Sequence, residues 1–295
     1  MDITKEKCDL HLHTFYSDGT LSPTAIVERA ASLGQKIIAV TDHDGTDGVQ
    51  EAICAAEKYG INVIPGIEIS TVYDETVKLH MLGYCIDIHD EQMQEVMERL
   101  KKVRAERNVR LLKALSEIGY EIEEDDIPVG EGGTFIGKPQ YAIAMARKGY
   151  IAEPDDAFGK DGVFRRPEII AVSKLFEPGT YEAIELIHGA GGKAVIAHPG
   201  KIRGFRYGPE DKAAERCGAA DEGGRIPCGT EAFYEAAEKL IIDLKKHGLD
   251  GIECLHTDHT EEDCRLFKVL AEKHKLMATC GSDYHGPEFE RGTPD

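Results

Sequence analysis

The stretch Cys8-Asp9-Leu10-His11-Leu12-His13-Thr14-Phe15-Tyr16-Ser17-Asp18-Gly19 reads as a short strand running into a loop. Cys8, Leu10 and Leu12 alternate with Asp9, His11 and His13, and a period of two places both imidazoles on one side of the strand. Asp18 follows in a turn that Ser17 and Gly19 favour. Ser22-Pro23 then opens a helix, with serine at the N-cap and proline at the first helical position. Two histidines on a half-buried strand can simply be hydrogen-bonded, so the pair alone decides nothing. Its recurrence along the chain does.

A first helix is expected from Pro23 to Leu33, ending at Gly34, and after it comes Lys36-Ile37-Ile38-Ala39-Val40-Thr41-Asp42-His43-Asp44, an apolar run closed by Asp42, His43 and Asp44. A second helix is expected from Gly48 to Tyr59, stopped by Gly60. The third run, Ile61 to Ile69, places Glu68 among apolar neighbours, where an unpaired carboxylate is costly. The fourth, Val77 to Tyr84, carries His80 in the same way. Later runs end in His198, in Glu253 and His256, and in Asp283 and His285, with helices expected near 181–190, 230–247 and 260–274. Seven apolar runs alternating with helices imply a parallel sheet buried on both faces, with its chemistry at the strand ends. The expected fold is α/β: a distorted (β/α)7 TIM-like barrel, one strand short of eight.

Between the fourth and fifth runs the period becomes helical. From Asp90 to Ile118 one stripe holds Met93, Met97, Leu100, Leu111, Leu115 and Ile118, and Arg104, Arg107 and Asn108 fall on that same stripe. Either the arginine stems lie along a core edge, or the guanidinium groups face an anion beneath a helix that covers the site. Short helical and loop pieces without histidine continue to Pro178. The domain reading is therefore a first barrel part at 1–89, an inserted helical lid subdomain at 90–178, and a second barrel part at 179–295 with a loop insertion at 203–229.

A hydrophobic content of 41% is that of an ordinary globular protein, and no apolar run is long enough to span a membrane or form a leader at Met1 to Lys7. The expected compartment is the cytosol. Eight cysteines then read as reduced thiols, with Cys54, Cys85, Cys254 and Cys280 as small core residues and Cys217 and Cys228 in the loop insertion without a CxxC spacing. A net charge of −19 disfavours a grip on duplex nucleic acid. It leaves room for a small anion held by metals in a pocket.

The strand ends supply His11, His13, Asp18, His43, Glu68, His80, His198, Asp283 and His285. Nine nitrogen and oxygen ligands exceed what one ion uses and suit two or three divalent ions (Mn, Fe, Zn or Mg), with a carboxylate such as Glu68 able to bridge. Such a cluster activates water and clamps a phosphoryl group. No cysteine belongs to it, which argues against copper or an iron–sulfur centre. His89, His188, His247 and His274 sit on expected helices or their ends, as surface residues. His256 and His259 follow a strand end and could line the pocket, and Glu253 could orient a ligand.

His11-x-His13 with Ser17-Asp18-Gly19, then Thr41-Asp42-His43, Glu68, His80, Ala197-His198-Pro199 and Gly281-Ser282-Asp283-x-His285, resembles the motifs of the PHP (polymerase and histidinol phosphatase) family. The inserted segment is similar to the lid of the subgroup that hydrolyses nucleoside 3′,5′-bisphosphates and short 5′-phosphorylated oligonucleotides. The resemblance implies a metal-dependent phosphoesterase in which His11, His13, Glu68 and Asp283 hold one metal, Glu68, His80 and His198 a second, and Asp18, His43 and His285 a third. It also implies a metal-bridging hydroxide as nucleophile, so no side chain attacks. The subgroup's Gly-Arg-x-His-like lid motif stands here as Gly137-Lys138-Pro139-Gln140, without its histidine.

Arg104, Arg107 and Lys138, with His256 and His259, are the expected substrate-binding residues, and the expected partner is a small phosphorylated substrate, a nucleotide, with no duplex nucleic acid and no membrane. Rival readings are a phosphatase for histidinol phosphate or another small monoester, an amidohydrolase-type hydrolase, and a non-catalytic PHP module.

Overall fold

The computed structural model describes residues 7–129, 135–173, 176–206 and 226–287. Seven strands lie side by side in chain order: β1 (Cys8–Leu12), β2 (Ile37–Val40), β3 (Asn62–Val72), β4 (Lys78–Tyr84), β5 (Lys193–Ile196), β6 (Gly251–His256) and β7 (Met277–Gly281). The first and last meet through a parallel bridge between Leu12 and Tyr284, with His13 N donating to the Tyr284 carbonyl at 3.0 Å and Asp283 N to the His11 carbonyl at 3.0 Å. Across the same seam the sulfurs of Cys8 and Cys280 are 2.9 Å apart. These contacts bring the sheet round into a nearly closed barrel.

One expectation is corrected. The sheet is not wholly parallel: β4 runs antiparallel to both β3 and β5. Only residues 73–77 separate β3 from β4, and a parallel crossover needs about a dozen residues or more. The Asp74 carboxylate closes this hairpin by accepting from Thr76 N at 2.7 Å and Val77 N at 2.8 Å.

Helix ends follow local chemistry. α1 (Pro23–Ser32) is capped by the Ser22 hydroxyl, which accepts from Ala25 N at 3.1 Å, and α2 (Val49–Tyr59) stops at Gly60 in the left-handed region. α3 (Glu91–Glu117) starts at an Asp90 cap accepting from Met93 N at 2.8 Å. α4 (Lys138–Arg147), α5 (Pro167–Val172), α6 (Thr180–Gly189), α7 (Glu231–Lys246) and α8 (Glu261–His274) complete the α-helices among the described residues. None is long and apolar enough to cross a membrane.

Side chains sort into layers. Leu10, Ala39, Leu82, Tyr84, Val195 and Ala197 fill the barrel floor, while Ile38, Val40, Met81 and Ile196 face the surrounding helices. In β1 the pairing register slips between Asp9 and Leu12, so Leu10 packs inward and Leu12 outward. Strict alternation, as read from the sequence, would have put them on one face. Cys54 and Cys85 are exposed rather than core, Cys254 is buried, Cys228 is exposed, and Cys217 lies outside the described residues, as does most of the loop at 203–229.

α3 belongs to two cores. Met93, Met97 and Leu100 pack with the barrel-side cluster, whereas Leu111, Ala114 and Leu115 pack with Tyr141, Phe164 and Ile169 in a second one. Leu111→Ala is therefore expected to cost about 2–5 kcal/mol within that second core. Amide exchange should accelerate in α4 and α5 while β1 and β2 keep their protection. Equal acceleration in both places would mean a single cooperative unit.

Candidate metal centre

Five imidazoles converge on Glu68, which is fully buried on β3. His11 Nε2 and His13 Nε2 each lie 3.3 Å from Glu68 Oε2, and His43 Nδ1 lies 3.0 Å from it. On the other oxygen, Oε1, are His80 Nδ1 at 2.9 Å and His198 Nε2 at 3.0 Å. Asp283 Oδ1 closes the first group, 3.4 Å from His11 Nε2 and 3.2 Å from His13 Nε2. Asp18 lies beside His285, with Oδ1 3.2 Å from His285 Nε2, and its Oδ2 is 3.6 Å from His43 Nε2. All nine strand-end residues singled out in the sequence are thus gathered in one place.

Hydrogen bonds behind the rings set their tautomers. His11 Nδ1 is 3.1 and 3.2 Å from the two Glu253 oxygens, so it donates there and leaves the Nε2 lone pair facing Glu68 and Asp283. Ser17 Oγ donates to Asp42 Oδ1 at 2.5 Å and is therefore an acceptor for His13 Nδ1 at 3.3 Å. His285 Nδ1 donates to the Asp283 carbonyl at 2.7 Å. In their neutral form these three imidazoles turn a lone pair toward carboxylate oxygens.

Lone pairs facing lone pairs repel unless a cation or a proton lies between them. His11 Nε2, His13 Nε2 and Glu68 Oε2 are buried and have no hydrogen-bond partner. Tetrahedral ligands around an ion bound at about 2.1 Å stand about 3.4 Å apart, which is the spacing of this group. The donor set fits divalent ions, and four overlapping groups of this kind occur among the described residues: His11, His13, Glu68 and Asp283; His43, Glu68 and His80; His13, Asp18, His43 and His285; and His11, Glu253 and His256. His198 shares Glu68 Oε1 with His80.

Electrostatics follow from burial against charge. Burial works against charge on both sides, yet the surrounding histidines, His43 and His11 foremost, hold the Glu68 carboxyl well below its usual range. In turn the carboxylates of Asp283 and Glu68 overcome burial at His13 and push its pKa up to about 10. Burial dominates at His43 and His198, pulling them down to about 3 and about 4.

Three supports escaped sequence reasoning. Asp42 ties down the loop after β1, accepting from Thr14 N and Oγ1 at 2.7 Å each as well as from Ser17. Asp9 accepts from Ser282 N at 2.9 Å and Oγ at 2.6 Å, and so fixes the segment leading to Asp283. Asp44 pairs with Arg104 and accepts from Ser70 N at 3.2 Å. Buried aspartates next to hydroxyl residues were the available signal for the first two.

The expected substrate residues divide. Arg104 is paired with Asp44 and stacks 4.0 Å from the Phe135 ring, whose plane in turn lies 16° from that of His43. It fastens α3 to the loop carrying His43. His259 spends both ring nitrogens on backbone, donating to the Cys254 carbonyl at 3.3 Å and accepting from Gly200 N at 3.1 Å. His256 has a fully buried side chain behind Asp283. Arg107, by contrast, is buried with only the Ile136 carbonyl at 3.4 Å, and its Nε has no partner. Burial and the neighbouring Arg104 lower its pKa to about 10. Lys138 is likewise lowered, by burial and by Arg107, Lys78 and Arg165. Among the described residues no carboxylate pairs with Arg107 or Lys138. Gln140, in the motif position lacking histidine, accepts from Gly137 N at 2.9 Å and donates to the Ser17 carbonyl at 3.1 Å, joining α4 to the loop that carries Asp18.

Comparison with known proteins matches residues 9–150 to the PHP domain model. A 5′-3′ exoribonuclease of Haemophilus influenzae is 31% identical over 288 residues, which cover 96% of this chain and 91% of that protein. A 3′,5′-nucleoside bisphosphate phosphatase of Chromobacterium violaceum is 29% identical over 280 residues, covering 95% and 87%. The crystal structure of a protein from Bifidobacterium adolescentis provisionally assigned as a metal-dependent phosphoesterase aligns with a TM-score of 0.76 at 30% identity, covering 99% of this chain and 92% of that one.

Metal analysis after manganese loading is expected to return two or three ions per chain, with activity lost to chelator. Glu68→Ala should lose at least two ions together, because both of its oxygens face ligand groups. Retention of the full count would remove Glu68 from any bridging role.

Proposed function

This chain belongs to the PHP domain family and is a metal-dependent phosphoester hydrolase, and we propose that its substrate is a nucleotide carrying a second phosphate, either a nucleoside 3′,5′-bisphosphate or a short 5′-phosphorylated oligonucleotide. The observation that carries this reading is the pair of cations Arg107, buried, and Lys138, half-buried, without a carboxylate partner among the described residues, on the helices that adjoin the metal centre. Two like charges, each lowered in pKa by burial and by neighbouring cations, are stabilised by an anion placed between them. The names of the relatives from Haemophilus influenzae and Chromobacterium violaceum point to the same substrate class.

In this reading His11, His13, Glu68 and Asp283 hold one ion, Glu68, His80 and His198 a second, and Asp18, His43 and His285 a third. Bound divalent ions supply Lewis acidity, lowering the pKa of water and drawing charge from phosphoryl oxygens. The chain's own groups do the rest. Glu253 holds His11 with its lone pair toward the centre, Ser17 and Asp42 do so for His13, and the Asp283 carbonyl does so for His285. No side chain attacks phosphorus. Residues 90–178 act as a lid, fastened through Arg104 to Asp44 and through Gln140 to the Ser17 carbonyl, so that Arg107 and Lys138 stand at a fixed distance from the ligands. The phosphate that is not cleaved binds these two residues.

Two charge-assisted contacts of about 1.5–3 kcal/mol each make a bisphosphate better than the matching monophosphate by roughly 100- to 10,000-fold in kcat/KM. The double variant Arg107→Ala, Lys138→Ala is expected to erase that preference and leave phenyl phosphate hydrolysis nearly intact, since the ligand groups are untouched. Arg104→Ala should lower both activities, because its loss loosens the lid. Steady-state kinetics on the three substrates decide. A wild-type protein indifferent to the second phosphate would sink the proposal and favour a small-monoester phosphatase.

A further inference from the structure

Lys201 belongs to none of the ligand groups, yet it reaches the centre. It ends the short 3-10 turn Pro199–Lys201 that follows His198, and its backbone N–H donates to the His198 carbonyl at 2.8 Å. Its Nζ lies 3.0 Å from Asp283 Oδ2 and 3.1 Å from Asp258 Oδ2. One ammonium therefore joins the loops that leave β5, β6 and β7.

The two oxygens of Asp283 are sorted by their surroundings. Oδ1 faces His11 Nε2 and His13 Nε2, while Oδ2 faces Lys201 and, at 3.4 Å, His256 Nε2. His256 is a proton donor on that side, because its Nδ1 accepts from Asp258 N at 3.0 Å and the neutral ring must then carry its proton on Nε2. Asp283 has a φ of +55°, in the left-handed region that costs a non-glycine residue roughly 1 kcal/mol or more. Its conformation is thus imposed by neighbours. Lys201 is itself exposed, so its charge costs little, and its partners are the carboxylates of Asp283 and Asp258.

We propose that Lys201 is a positioning residue of the metal centre: together with His256 it occupies Asp283 Oδ2, so that Oδ1 alone is presented beside His11, His13 and Glu68. A carboxylate freed from Lys201 could turn and offer either oxygen or both. It would also face Asp258 without the cation that now separates the two negative charges. The inference rests on the metal-centre reading above, and it assigns Lys201 no contact with substrate.

The test uses Mn²⁺ as the probe, with Lys201→Met, Lys201→Gln and Lys201→Arg beside the wild type. Manganese affinity is read by competition with a chelator, and kcat and KM are measured at saturating manganese on a nucleoside 3′,5′-bisphosphate. Lys201→Met is expected to weaken the tightest manganese site about 10- to 100-fold, with KM at saturating metal within about twofold of wild type, the size of a neutral change. Lys201→Arg, which keeps the charge, should recover most of the affinity, and Lys201→Gln should fall between. The glutamine variant also carries the test if the methionine variant does not fold. Unchanged manganese affinity with a raised KM would overturn the proposal and make Lys201 a substrate contact, and an arginine variant as weak as the methionine one would overturn it too. A wild-type chain that binds no manganese would instead remove the metal-centre reading on which the inference stands.

Discussion

A fully buried carboxylate must be neutralised, and at Glu68 that requirement organises the molecule. Desolvation of its charge is offset only by groups close to both oxygens. Five imidazoles from four different strands or their ends provide them. Imidazoles alone do not finish the task, because hydrogen bonds on their far nitrogens turn several of them into acceptors. What the fold has assembled is a set of neutral-form lone pairs around a negative charge, which must be filled by protons, as the raised pKa of His13 shows, or by metal ions.

Holding such a shell in place demands rigidity one layer further out. Glu253 grips His11 with both oxygens and also accepts from His198 N at 2.7 Å, which links the exits of β1, β5 and β6 through one side chain. Asp9 and Asp42 perform the same service for the segments around Ser282 and Ser17. Positive φ values at Asp44, His198 and Asp283 lie on these same strand exits. Backbone strain of this kind persists only where surrounding bonds over-determine the conformation, and here those bonds are the carboxylate contacts just named.

Much of this was legible in the sequence because strand ends and helix caps are local. Ser22, Asp90, Thr230 and Thr260 cap the helices they were expected to open. Most of the nine ligand candidates stood at or just past the ends of apolar runs, with Glu68 and His80 inside theirs, and an apolar run fixes where its end will lie in a barrel. Direction was less legible than position. An apolar run is equally compatible with a parallel or an antiparallel neighbour, and only the shortness of 73–77 marked β4 as reversed. The slip in β1 left no trace either, since it is decided by pairing with β2 and not by the residues of β1 themselves. Exposure of Cys54 and Cys85 shows the same limit at single residues.

Arg104 and Arg107 show why an identical pattern can hide two different roles. They lie three positions apart on one stripe of α3, and both are buried. Burial of a guanidinium requires an acceptor, but nothing in the pattern says whether that acceptor is internal. For Arg104 it is Asp44, which stands beside His43 and is itself held in the left-handed region, so the charge pair belongs to the architecture of the centre. For Arg107 a lone carbonyl at 3.4 Å leaves most of the donor capacity unused. The helix thus commits one arginine to Asp44 and leaves the next, one turn along, with most of its donors unused, and the proposed anion-binding role rests on that difference.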